Sequence, residues 1–353
     1  MKTKPIATMS YAESGVDLKK VRLIQRRLGE QFSSTFAFRR GKFGSPTRPI
    51  GHYGGTIDIG GGKILTLHTD GVGSKVLIAQ AVGRFDTIGI DCVAMTVNDL
   101  ICLGSEPIAL LDYLALEREN AMLVKQVAKG LKEGAALASV AIVGGETAIM
   151  GDVIKGIGGS GFDLAAMGVG VVESDAIVDG SEIVEGDAVL GIASSGLHSN
   201  GYTLARKALM RHSLSEWIDE LHMTLGDALL TPTSIYVKPT LSVLRRRDIH
   251  GVGHVTGGSF AKLMRLVQGR SLGFELEVPL PLPPVFEFLK REGRISELEM
   301  FRTFNMGVGL CLCLPRAEVT AVRRTFRSSG FSAFEIGSVK KGKGVEVNGL
   351  KLA

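Results

Sequence analysis

Acidic residues lie beside glycines where the first half of the chain passes from strand to loop. The first such segment, TDGVGSK at residues 69–75, follows the apolar run at 64–68. Asp70 and Lys75 supply opposite charges, while Gly71 and Gly73 let backbone N–H groups approach a ligand closely. The segment is suited to bind a phosphate group or its magnesium ion, although it lacks the Walker A spacing. The alternative is a tight turn with a solvated aspartate.

A second acidic segment, GIDCVAMTVNDL at residues 89–100, has the composition of a buried helix. On a helix, Asp91 and Asn98 lie two turns apart on one face, and Asp99 lies about 80° away. Buried carboxylates need partners, which Mg²⁺ and phosphate oxygens provide. We therefore expect these residues at a nucleotide or magnesium site. The alternative is that Asp91 caps the helix and Asp99 lies at the surface.

The third segment is GGETAIM at residues 144–150, where an apolar strand at 140–143 is predicted to end. The glycine pair and Glu146 repeat the arrangement of the first segment. Ligands of α/β sheets bind at the carboxyl ends of strands, so three acidic junctions in one domain favour a shared site there.

The second half contains a polar loop around one histidine, ASSGLHSNGY at residues 193–202. Hydroxyls, an amide and backbone donors can bind phosphate, and His198 supplies an acid/base group near neutral pH. A purely structural histidine is the alternative. Two later glycine-rich turns, HVTGGS at 254–259 and FNMGVG at 304–309, specify no chemistry by themselves.

The pattern of elements that positions these loops predicts an α/β fold in two domains. We expect a flexible, basic arm at 1–50, an N-terminal domain at 51–172 and a C-terminal domain at 173–353. The predicted strands are 64–69, 108–116, 140–143, 164–172, 188–193 and 308–314. The predicted helices are 75–82, 91–103, 121–138, 202–210 and 285–290.

Composition excludes several classes of protein. The 353 residues are enough for two cores, and 46 glycines without a three-residue period exclude collagen. The net charge of +5 is too small and too dispersed to indicate nucleic-acid binding. No apolar run reaches the ~18 residues of a membrane span, so we expect a cytoplasmic protein without a membrane partner. The four cysteines lack zinc-site spacing and are expected to be buried thiols.

Taken together and in order, seven strings resemble one family. DGVGSK, GIDCVAMTVNDL, GGETAIM, ASSGLHSNGY, TPTSIY, HVTGG and FRTFNMGVG are similar to those of the phosphoribosylformylglycinamidine cyclo-ligases, also called aminoimidazole ribonucleotide synthetases. The resemblance extends from residue 10 to about residue 337. It implies an α/β fold of the α+β mixed-sheet type, with a C-terminal sheet flanked by helices. It also implies a homodimer in which N-terminal strands pair between subunits.

The implied reaction closes the imidazole ring of formylglycinamidine ribonucleotide. ATP phosphorylates the formamide oxygen, the amidine nitrogen attacks and phosphate leaves, with Mg²⁺ as the metal. The resemblance implies His198 as the acid/base group, assisted by Asp91, and metal ligation by Asp70, Asp91, Asp99 and Glu146. The implied contacts of ATP and its phosphates are Asp70, Gly71, Gly73, Lys75, Asn98, Gly144, Gly145 and Thr147. The implied substrate contacts are Ser195, Gly196, Ser199, Asn200, Gly257 and Gly258.

The chain departs from the family pattern at two places. The acidic continuation of the Gly-Val-Asp motif is replaced by Leu-Lys-Lys-Val at 18–21, so the family's N-terminal phosphate-contacting lysine has no clear counterpart. Arg39, Arg40 and Lys42 are the candidates. The segment at 254–261 lacks the usual third glycine and a nearby asparagine. A kinase of the thiamine-phosphate type and a nucleotide-binding homologue without activity remain the alternatives.

Overall fold

Two mixed β-sheets organise the chain, and each is covered by helices. The computed structural model describes residues 9–279 and 281–352. In the N-terminal half of this range the strands are β1 (Ser45–Pro46), β2 (Gly55–Asp58), β3 (Lys63–Gly71), β4 (Glu106–Leu116), β5 (Ala141–Ile149) and β6 (Phe162–Glu173). They form one sheet in the order β1-β2-β3-β6-β4-β5, in which only β4 and β5 pair in parallel.

The helices of this half are α1 (Leu18–Ser34), α2 (Val76–Val82), α3 (Asp86–Ile101) and α4 (Ala121–Ala138). Helix α3 is buried from Ile88 to Ile101 because it lies between the sheet, α4 and the C-terminal domain. Glycines permit the close packing of α3 on α4: a Cβ at Gly130 would lie 2.0 Å from the Asp86 carbonyl oxygen. The buried polar residues of α3 are therefore held in fixed positions.

The C-terminal half contains a second sheet and its covering helices. Its strands are β7 (Ala188–Ala193), β10 (Gly251–His254), β11 (Leu272–Leu276), β12 (Val308–Leu314), β13 (Ala333–Lys341), β14 (Gly344–Val347) and β15 (Leu350–Lys351), besides the small hairpin β8 (Trp217–Ile218) and β9 (Met223–Thr224). Their order is β10-β12-β7-β13-β11-β14-β15. The helices are α5 (Tyr202–Ala208), α6 (Leu225–Leu230), α7 (Val237–Leu244), α8 (Pro284–Gly293), α9 (Glu297–Thr303) and α10 (Val319–Ser328).

The predicted α/β class with mixed sheets is confirmed, as are the buried thiols of all four cysteines. Between residues 9 and 352, Leu280 apart, no helix combines the length and apolar character that a membrane span requires.

The segment expected to be a flexible arm contains helix α1, which apolar residues at three- and four-residue spacing and good helix formers favour. The flexibility of the arm stays a prediction. Residues 1–8 of that arm lie outside the described range. Strand β5 does not end at Val143 but continues to Ile149, because its parallel pairing with β4 extends through the glycine pair. Gly145 is required there, since its Cβ would lie 2.5 Å from the Asp112 carbonyl oxygen.

Candidate active site

A buried ion pair of the N-terminal domain bonds to the C-terminal domain. The Lys75 Nζ lies 2.9 and 2.7 Å from the two carboxylate oxygens of Asp91, and both side chains are fully buried. Lys75 also donates to the Thr231 carbonyl oxygen, and Asp91 accepts from the backbone N–H and the hydroxyl of Thr233. Burial lowers the pKa of Lys75, while Asp91 opposes that shift. The pair therefore holds the C-terminal segment 231–236 against α3.

Asn98, one of the predicted phosphate ligands, also binds segment 231–236. Its amide nitrogen donates to the Ser234 carbonyl oxygen at 2.8 Å, and its amide oxygen accepts from the Tyr236 N–H at 3.0 Å. Because Asn98 and Asp91 lie on one face of α3, as predicted, they bind both ends of one loop. Their polar atoms are used within the protein.

His198 is buried within its own loop, residues 193–202. The residue is 1% exposed, its backbone φ is +60°, and its Nε2 accepts from the Ser195 N–H at 3.2 Å. Burial lowers the pKa of His198 well below 6.5, with smaller contributions from His254 and Lys75. The imidazole is therefore neutral. Gly309 makes room for it, because a Cβ there would lie 2.6 Å from His198 Cε1.

Asp99 is the centre of a cluster that sequence reasoning did not assemble. Its carboxylate bonds to His254 Nδ1 at 2.6 Å and lies 3.3 Å from His68 Nε2. His68 in turn lies 4.0 Å from Asp70. Burial disfavours the charged form of His68, but Asp99 and Asp70 outweigh burial and raise its pKa. Although burial alone would favour protonation of Asp99, both histidines and Lys262 hold the pKa of this carboxyl far below its usual range.

Two adjoining cavities open beside this cluster. The inner cavity, about 590 Å³, is bounded by both domains and by helix α1; its lining includes His68, Asp70, Asp99, Asn200, Gly257, Gly258, Lys262, Arg265 and Arg22. The outer cavity, about 1030 Å³, continues past α1 toward residues 50–55 and includes His52 and Tyr53 in its lining. A nucleotide-sized ligand fits between the domains.

The structure brings some predicted site residues to the inner cavity and leaves others outside its lining. Asp70, Asp99, Asn200, Gly257 and Gly258 line the cavity. A second group does not line it and instead bonds to segment 231–236: Lys75, Asp91, Asn98, Ser195, His198 and Ser199. Gly196 bonds to Asn305. Gly71 ends β3, and Gly73, with φ +64°, starts the following turn.

The third acidic segment does not join this cavity within one chain. Gly144, Gly145, Glu146 and Thr147 lie along β5, an exposed strand at the sheet edge. In addition, the described part of the chain holds no group of three or more His, Cys, Asp or Glu side chains arranged to bind a metal. The expected convergence of Asp70, Asp91, Asp99 and Glu146 is therefore not found, because Asp91 is paired with Lys75 and Glu146 lies on β5.

Sequence reasoning also missed residues that the site uses. His254 appeared only as part of a glycine-rich turn, and His68 was treated as the end of a strand. Asn305 bonds to the Gly196 carbonyl oxygen and to the Ser194 hydroxyl, so it anchors the His198 loop. The alternation of side chains along β3 could have identified His68. Because His68 lies two residues before Asp70 on this strand, the two side chains point to the same face of the sheet.

Comparison with known proteins places this site in a family. The sequence model described as AIR synthase related protein, N-terminal domain, matches residues 51–172, and that of the C-terminal domain matches residues 184–349. The phosphoribosylformylglycinamidine cyclo-ligase of Thermococcus kodakarensis is 45% identical over 98% of this chain and 100% of its own length. The enzyme of that name from Pyrococcus horikoshii is 46% identical over 94% of this chain and 96% of its own.

Solved structures show the same fold at low identity. A thiamine-monophosphate kinase from Stenotrophomonas maltophilia has a TM-score of 0.64 and 18% identity, covering 90% of this chain and 94% of its own. An E. coli hydrogenase maturation protein has a TM-score of 0.60 and 20% identity, covering 81% and 84%. Full-length identity near 45%, together with both domain matches, shows that this chain belongs to the AIR synthase family and, within it, to the phosphoribosylformylglycinamidine cyclo-ligases.

Proposed function

We propose that the chain catalyses the ATP-dependent ring closure of formylglycinamidine ribonucleotide to aminoimidazole ribonucleotide in purine biosynthesis. The formamide oxygen attacks the γ-phosphorus and ADP leaves; the amidine nitrogen then attacks the activated carbon, and the oxygen departs with inorganic phosphate. The full-length similarity to cyclo-ligases carries this proposal. The meeting of both domains' predicted loops at one cavity supports it.

Of the four predicted metal ligands, Asp70 and Asp99 are the two that line the cavity where a magnesium ion would arrive with the nucleotide. Both carboxylates line the inner cavity, and hard Mg²⁺ is commonly held by one or two carboxylates together with phosphate oxygens. When bound, Mg²⁺ offsets the charge of the transferred phosphoryl group. We expect Asp99→Asn to raise the Mg²⁺ concentration for half-maximal rate at least about tenfold, because a neutral amide oxygen binds hard Mg²⁺ more weakly than a carboxylate does. An unchanged Mg²⁺ requirement would remove Asp99 from this role.

His198 and Asp91 act by positioning. His198 Nε2 already accepts a backbone hydrogen bond, and Asp91 is engaged by Lys75 and Thr233. His198→Gln, which keeps an acceptor, should preserve the pH profile of kcat while His198→Ala lowers kcat. If instead both variants lost the same limb of the profile, His198 would be the acid/base group.

A product assay tests the function directly. The full chain is incubated with ATP, Mg²⁺ and formylglycinamidine ribonucleotide, and ADP and aminoimidazole ribonucleotide are quantified together. Equal yields are expected. ADP formation only with thiamine phosphate would support the kinase alternative, and nucleotide binding without turnover of either acceptor would support the inactive homologue.

We also propose a homodimer through the outer face of β4 and β5. Edge strand β5 is exposed along most of its length, and apolar side chains project from this region: Ile108, Leu111, Tyr113, Ile142, Val143 and Ile149. A contiguous apolar patch at a sheet edge favours association. Val143→Asp should shift sedimentation from dimer to monomer, whereas Val184→Asp, at a residue 51% exposed elsewhere, should not. A wild-type monomer would refute the dimer. The cytoplasmic location remains a prediction from the sequence.

A further inference from the structure

Three cations at the inner cavity lack carboxylate partners. Among the ion pairs of residues 9–279 and 281–352, none involves Arg22, Lys262 or Arg265, although all three line this cavity. Lys262 and Arg265 are partly buried, whereas Arg22 is exposed on α1. Most other partly or fully buried lysines and arginines, such as Lys75 and Arg48, are paired with carboxylates. Cations left unpaired at a cavity are suited to an anionic ligand.

The three side chains reach the cavity from separate elements. Arg22 projects from α1, and its Nη2 lies 3.7 Å from the place a Gly258 Cβ would occupy. Lys262 lies on the turn Ser259–Arg265 and bonds to the Thr256 hydroxyl. Arg265 lies over Tyr53, with its guanidinium carbon 5.5 Å from the ring centroid. Helix and turn therefore face each other across the glycine pair.

The burial of Lys262 further favours an anionic ligand at this cavity. It lowers the pKa of Lys262, a shift that Asp99 and Asp70 oppose and Arg265 reinforces. The two aspartates are shared with His68 and His254, so they do not neutralise all the nearby cations. A dianionic phosphate suits this arrangement, since guanidinium groups bind its oxygens in pairs and an ammonium group adds a point charge.

We propose that Arg22, Lys262 and Arg265 form a binding site for a phosphate group of a reactant. Lys262 lies in the segment that departs from the family pattern, and Arg22 lies on helix α1, within the segment predicted to be an arm. The proposal deepens the proposed function, on which it rests for the identity of the ligand. Both reactants carry phosphate: the ribonucleotide as a 5′-phosphate and ATP as its triphosphate.

Steady-state kinetics of Arg22→Gln and Lys262→Gln distinguish the two sources. If the site holds the 5′-phosphate, KM for formylglycinamidine ribonucleotide should rise at least about tenfold while KM for ATP stays within about twofold. The converse pattern would assign the site to ATP. The control is Arg246→Gln, which removes an exposed arginine of the C-terminal domain. Unchanged KM values for both reactants in both variants would overturn the proposal.

A binding measurement separates this proposal from the proposed function. Inorganic phosphate and ADP are titrated calorimetrically into the full-length wild type and into each variant whose thermal melting is unchanged. Weaker binding of either probe in the variants, but not in Arg246→Gln, would support the site even if the wild type made no aminoimidazole ribonucleotide. Equal binding of both probes by wild type and variants would refute it.

Discussion

Replacement of Lys75 by methionine should strongly destabilise the protein. Methionine has a similar length but no charge, so Asp91 would remain fully buried with only Thr233 as its partner. Removing one member of a buried ion pair costs about 3–5 kcal/mol. Because domains are stable by about 5–15 kcal/mol, this loss is a large fraction of the total.

The double variant Lys75→Met, Asp91→Asn provides the matched control. It removes both charges, and the asparagine oxygen can still accept from the Thr233 N–H. Replacing a buried pair with neutral residues is often close to neutral. We therefore expect the double variant to recover most of the stability that the single variant loses.

Urea unfolding measures this difference through the midpoint and slope. We expect the single variant's midpoint to fall by about 1.5–2.5 M for a slope of about 2 kcal/mol per molar. The reasoning fails if the single variant loses less than about 1 kcal/mol. It also fails if the double variant is no more stable than the single one, because the unpaired charge would then not be the cause.

Two further predictions concern packing and pH. Gly309→Ala should destabilise the protein by about 1–3 kcal/mol and reduce kcat. The reason is that the alanine Cβ would lie 2.1 Å from Tyr236 Oη and 2.6 Å from His198 Cε1. Unchanged melting and turnover would contradict this prediction. Burial lowers the pKa of His52 to about 4, so the unfolded chain gains a proton before the folded one as pH falls below 6.5. Stability should therefore decline from pH 6.5 to 4, by about 3 kcal/mol more than in His52→Gln. Parallel stability curves for the two proteins would refute that assignment.

Local patterns were sufficient to predict many elements. Helix α4 and strands β7 and β12 have their predicted bounds, because long runs of periodic or continuous apolar residues admit few interpretations. Strand β5 was shortened because glycine pairs usually end strands, whereas here the neighbouring strand β4 maintains the pairing. That neighbour is distant in sequence.

The types of residue at the site could be predicted from the sequence, but the groups to which they bond could not. Asp91 and Asn98 were expected to face a ligand because buried polar groups need partners. Their partners are instead backbone and side-chain groups about 140 residues later in the chain, in segment 231–236. Nothing local to α3 signals that contact. The Asp99 cluster likewise requires β3, α3 and β10 to meet, which only the tertiary fold provides.

Oxygen-isotope transfer tests the central claim most directly. Formylglycinamidine ribonucleotide labelled with ¹⁸O in the formamide group is converted with ATP and Mg²⁺, and the inorganic phosphate is analysed by mass spectrometry. If the site activates the formamide oxygen by phosphoryl transfer, each inorganic phosphate carries one labelled atom. Ring closure that left the label in water, with unlabelled phosphate, would contradict the account.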